Sequence, residues 1–99
     1  MGHMRTNSKK RYYYASLICA YLLGNNISQA DVTARDIAEF HKLPGKSVYS
    51  ISAMLNFLHN NRIRDTRFGF YIKGTHAFKK SDYPHRYTLQ LIDGAEGLL

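Results

Sequence analysis

Cysteine is nearly absent from the 99 residues: Cys19 stands alone, so no disulfide can close within the chain. Its place inside an apolar helical pattern suits a reducing cytosol. Long hydrophobic runs are missing too. The longest apolar stretch, Ala15 to Leu23, has nine residues and includes Ser16 and Cys19, against the roughly twenty that a bilayer-crossing helix needs. No cleavage site of small residues follows it, so a secretory signal is not expected, and the expected location is the cytoplasm or the nucleoid. No repeat or low-complexity block is visible, which excludes a solenoid. Metal-ligand spacing is also lacking. His41, His59, His76 and His85 are scattered, no His-x-His pair or acidic cluster accompanies them, and no glycine-rich loop could cradle a phosphate. Neither a metal nor another cofactor is expected. Tyr12-Tyr13-Tyr14 could suggest a DNA-cleaving tyrosine, but the metal site such chemistry needs is missing, so the chain reads as no enzyme.

Acidic residues are few, seven against fourteen Lys and Arg, for a net charge of +7. The excess is unevenly spread. Residues 1–30 carry four basic and no acidic residues, 31–59 balance three against three, and 60–90 carry seven against two. Net positive charge gathered at two places with a neutral stretch between them is a footprint for a polyanion. The length allows one domain. Residues 1–3 read as a cloning remnant before Met4, 4–11 as a basic arm, 12–92 as the domain and 93–99 as a tail.

Hydrophobic periodicity predicts a helix from Ser8 to Leu23, with Tyr14, Leu17, Ile18, Tyr21 and Leu22 on its buried face and Gly24-Asn25 ending it. Ile27 to Asp31 reads as a connection. Thr33, with Asp36 three positions later and Val32 and Ile37 as staple, starts a short second helix ending near Lys42 before Pro44. A third helix follows from Lys46 to about Asn60, with Val48, Ile51, Leu55 and Leu58 on one stripe, Met54 beside them and Asn60-Asn61 closing it in the left-handed conformation. The period then changes to two. Phe68, Phe70 and Ile72 alternate in one strand, and Tyr87, Leu89 and Leu91 in another. Gly74 to His85 is expected to be an exposed polar connection.

The segment Asp36-Ile37-Ala38 to Leu55 resembles the winged helix-turn-helix DNA-binding family. Ile37-Ala38, Leu43 and Ser47-Val48 occupy the places where that family carries an apolar-Ala pair, a buried turn residue and a Ser-Val pair. Two steeply crossing helices need a small residue at closest approach and an apolar plug beneath the turn, which Ala38 and Leu43 supply. The resemblance covers roughly Tyr14 to Leu91. It departs from the family's pattern at Lys42, where a turn glycine is frequent, at Pro44, where a capping serine is usual, and at Asn60-Asn61, where a glycine is usual. It implies an α+β fold, three helices followed by a two-stranded β wing.

On that fold Lys46, Ser47, Tyr49, Ser50, Ala53 and Asn56 face outward from the third helix, polar and nearly uncharged, as a face entering the major groove would be. An ordinary solvated face would carry more Glu and Lys. Arg62, Arg64, Arg67, Lys79, Lys80 and Arg86 are the candidate phosphate contacts, with Lys79 and Lys80 at the wing tip. The expected function is sequence-specific binding of double-stranded DNA by a homodimer, as a transcriptional regulator or a plasmid or phage replication or maintenance factor. The dimer contact would come from the aromatic surface of the first helix or from Phe57. A protein-interaction winged helix and an RNA-binding module are the alternatives.

Overall fold

In the computed structural model, which describes residues 8–61, 68–74 and 78–94, the chain forms three helices and a three-stranded antiparallel sheet. In chain order these are α1 (Ser8–Gly24), β1 (Gln29–Val32), α2 (Ala34–Phe40), α3 (Lys46–Asn61), β2 (Phe70–Ile72), a 3₁₀ turn (Lys80–Asp82) and β3 (Tyr87–Leu91). Among the described residues no helix is long and apolar enough to cross a membrane.

The buried face of α1 is Ala15, Ile18, Cys19 and Leu22, rotated by about one position from the expected stripe. Tyr14, Leu17 and Tyr21 are half-buried at its margins. A tyrosine at the centre would have to bury its hydroxyl with a partner, whereas Ala15 and Cys19 bring no such cost. The Leu17 carbonyl instead accepts a 2.7 Å bond from Nε2 of His41, tying α1 to the end of α2.

Both α1 and α2 end in the same way. Ile27 N–H bonds to Leu22 O and Asn26 N–H to Leu23 O, each at 3.0 Å, while Leu43 N–H bonds to Ala38 O at 2.9 Å and Lys42 N–H to Glu39 O at 3.1 Å. These are paired Schellman closures, which put the residue after the cap in the left-handed region. That residue is Asn26 (φ 58°) in the first and Lys42 (φ 56°) in the second. Asn26, not Gly24-Asn25, therefore turns the chain out of α1. Gly24 serves close approach: a Cβ there would stand 2.8 Å from the Phe40 ring. Lys42 is exposed, and the left-handed conformation costs a non-glycine residue roughly 1–2 kcal/mol. Lys42→Gly should accordingly stabilise the fold by about 1 kcal/mol, after the extra chain entropy of glycine is deducted. A rise in melting temperature of about 4–8 °C would show it; an unchanged or lower value would contradict it.

The start of α2 follows the capping box. Thr33 Oγ1 accepts from Asp36 N–H at 3.2 Å, and Asp36 Oδ2 accepts from Thr33 N–H at 2.8 Å, so two orphan donors of the first turn are satisfied reciprocally. The helix stops at Phe40, two residues before the expected end, because Lys42 has already left helical geometry. Ile37 and Ala38 are buried in the core, and α2 packs on α3. Phe40 is partly exposed, its ring edge-on to Tyr21 at 5.3 Å.

Helix α3 buries Ile51, Met54, Leu55, Leu58 and His59, with Val48 half-buried. Its end differs from expectation, since Asn60 and Asn61 both remain helical. Asn61 closes the last turn with its own side chain, Nδ2 donating to Phe57 O at 2.8 Å.

The sheet corrects the expected two-stranded wing. Its order is β1-β3-β2, and β1 lies where a mere connection was expected. Ala30 and Val32 face Leu89 and Tyr87, and Phe70 and Ile72 face Leu91 and Leu89, so one sheet face joins the core. Gln29, Asp31, Thr88, Gln90 and Tyr71 alternate onto the other face. There Thr88 Oγ1 donates to Asp31 Oδ1.

Candidate nucleic-acid interface

Burying one stripe of α3 fixes what the opposite side presents. Lys46 is exposed and Tyr49 is 79% exposed, while Ser47, Ser50 and Ala53 are half-buried beside them. The helix sequence contains no Asp or Glu, so no carboxylate on α3 repels an approaching phosphate. The open part is the N-terminal half. Further along, the Tyr87 hydroxyl donates to Asn56 Oδ1, so Asn56 is not the free outward group that the helical period implied. Its amide oxygen is spent on holding α3 to β3.

The connection from Gly74 to His85, expected to be exposed, is not exposed throughout. Phe78 is half-buried, with its ring stacked on His59 at 4.5 Å and on His85 at 4.4 Å, and edge-on to Tyr87 at 5.1 Å. That packing folds the connection back against the C-terminal part of α3. Lys79 lies exposed just after Phe78, its N–H donating to Asp82 Oδ2 at 3.0 Å and its carbonyl accepting from Asp82 N–H at 3.0 Å. Lys80 begins the 3₁₀ turn that these bonds close. Arg86 is exposed immediately before β3. Arg62, Arg64 and Arg67 lie outside the described residues.

Three of the four cations assigned to an N-terminal arm, Lys9, Lys10 and Arg11, belong to α1, and Arg5 lies outside the described residues. Arg11 places its guanidinium 4.6 Å from the centroid of the Phe57 ring, a cation–π contact. Phe57 is half-buried on α3, and Tyr12 and Tyr13 are exposed aromatic residues of α1.

Beside the open half of α3 lies a cleft of about 540 Å³. Its walls include Arg35 from the first turn of α2, Gly45 at the turn, Tyr49 and Ser52 from α3, and the segment Tyr83 to His85, which contains a cis Tyr83–Pro84 bond. Arg35 is exposed and adds a cation that the sequence reading did not assign to the interface. A signal was present. A positive side chain in the first turn opposes the helix dipole, so its position has no local stabilising reason. Tyr87 closes the cleft floor, 2% exposed, and burial pushes its pKa up to about 12. It remains a protonated donor to Asn56 at neutral pH.

Compared with protein-family models, curated proteins and solved structures, the chain finds no match.

Proposed function

We propose that the chain is a winged helix-turn-helix domain that binds duplex DNA sequence-specifically, with the N-terminal half of α3 in the major groove. Transcriptional regulation, or replication or maintenance of a plasmid or phage, is the role that fits such a module. The observation that carries this reading is the outer face of α3. Lys46 and Tyr49 stand open to solvent with Ser47 and Ser50 between them, no carboxylate occurs on the helix, and Arg35 flanks it. Hydroxyls meet base edges, and cations at the flanks neutralise phosphates. Lys79 and Arg86 supply further exposed charge from the β2–β3 connection.

Fluorescence anisotropy with random-sequence duplex DNA across a salt series tests it. Binding should weaken linearly in log–log coordinates as salt rises, and Arg35→Ala should reduce the magnitude of that slope by about 0.9, the value for one phosphate contact. Tyr49→Ala should leave the slope in place and erode discrimination between a selected site and random sequence. Binding that ignores DNA and salt would overturn the reading in favour of a protein partner, and preference for single-stranded RNA would overturn it in favour of RNA. In this reading the protein acts as a twofold dimer through Tyr12 and Tyr13 of α1; sedimentation with and without DNA measures that.

A further inference from the structure

We infer that the cleft between α3 and the Tyr83–His85 segment seats an unpaired nucleotide, so that the preferred substrate is duplex DNA bearing a single-stranded extension. This rests on the DNA-binding reading above and narrows its substrate class. Two tyrosine rings wall the cleft while remaining largely in water, Tyr49 at 79% and Tyr83 at 76% exposed. Rings of this size normally bury most of their surface, and two of them bordering one concavity offer faces for a flat partner. The volume of about 540 Å³ falls within the usual range for small-ligand sites, roughly 300–1,000 Å³.

Charge selects the partner. Among the described residues lining the cleft no carboxylate occurs, while the guanidinium of Arg35 does. The acidic side chains nearest in sequence accept from backbone at the rim, Asp36 from Thr33 N–H and Asp82 from Lys79 N–H, and neither lines the cleft. A planar group carrying negative charge therefore suits the site, with the Ser52 hydroxyl and the Gly45 backbone as polar partners along the wall. In an intact duplex each base hides its faces in the stack. An unpaired base exposes them and can lie on a tyrosine, with its phosphate toward Arg35. Tyr49 belongs to both the cleft and the outer face of α3, which places such a nucleotide directly beside bound duplex. A neutral proline-rich peptide could also use aromatic walls, but it would gain nothing from the cationic side.

The test compares anisotropy titrations of a blunt duplex and the same duplex with a short single-stranded extension, at one salt concentration. A 2-aminopurine in the extension reports stacking by quenching. The extension should tighten binding roughly 5- to 140-fold, as one base–aromatic stack does, and quench the probe. Tyr83→Ala should bring the affinity ratio to about one and remove the quenching, whereas Tyr83→Phe should keep both. Circular dichroism of the alanine variant checks that it is folded, as expected for so exposed a side chain. Equal affinity for the two probes with blunt-duplex binding intact would overturn this inference alone, as would a ratio that survives Tyr83→Ala. Binding of a proline-rich peptide that depends on Tyr83 would assign the cleft to a protein. Binding to neither DNA would overturn the function proposed above as well.

Discussion

Phe70→Ala is expected to destabilise the fold by about 3–5 kcal/mol, the cost of emptying a buried aromatic site. Phe70 is 1% exposed on β2 and faces Leu91 across the sheet. Strand β2 is three residues long and packs against α3 as well as β3, so the lost ring is shared by both neighbours and leaves a cavity that neither can fill cheaply. Domains of this size are stable by roughly 5–15 kcal/mol, so the substitution removes a large part of the total. Urea denaturation should show a lower midpoint with little change in slope. A loss below about 1 kcal/mol would mean that Phe70 does not anchor the rear of α3. Phe40→Ala is the contrasting control, because that ring is already 41% exposed and its loss should cost far less.

The second large effect concerns alkaline pH. Burial holds the Tyr87 hydroxyl protonated, its pKa pushed up from 10.0 to about 12, while the unfolded chain releases that proton at the ordinary value. Below pH 10 both states are protonated and this group gives no pH dependence. As pH rises from about 10 towards about 12, the unfolded state ionises and the folded state does not. The folded state then binds more protons, and its stability falls by up to about 1.4 kcal/mol per pH unit, at most about 3 kcal/mol in all. Tyr21 acts in the same direction, its pKa raised first by burial and then by the negative charge of Asp36. Tyr87→Phe removes the larger titration. Denaturation curves from pH 8 to 12 should fall less steeply for the variant than for the parent. At neutral pH the variant should lose about 1 kcal/mol with the hydrogen bond to Asn56. Identical alkaline slopes would show that Tyr87 is not the group responsible.

The third helix was legible from its apolar period. Ile51, Leu55 and Leu58 repeat at helical spacing, and that spacing alone turns Lys46 and Tyr49 outward. Thr33 and Asp36 marked the start of α2 through local hydrogen bonds that need no distant partner. The strands β2 and β3 announced themselves by alternation of Phe70 and Ile72, and of Tyr87, Leu89 and Leu91. Each of these signals is a local regularity, and chain geometry converts it directly into a face.

What the tertiary structure decided is non-local. Gln29–Val32 is polar on one side and short, with Ala and Asp among its four residues, a weak strand former by itself. It is a strand because β3 offers it a ladder, Ala30 against Leu89 and Val32 against Tyr87. The rotation of α1 was open in the sequence because apolar residues surround it, and packing chose Ala15 and Cys19 over the tyrosines. Asn56 was outward by period and was claimed by Tyr87, which lies 31 positions away in sequence. The cleft has the same origin: Arg35, Tyr49 and Tyr83 share a wall because β3 carries the 83–87 segment past α3, a proximity set by sheet register and helix packing that no local pattern of residues encodes.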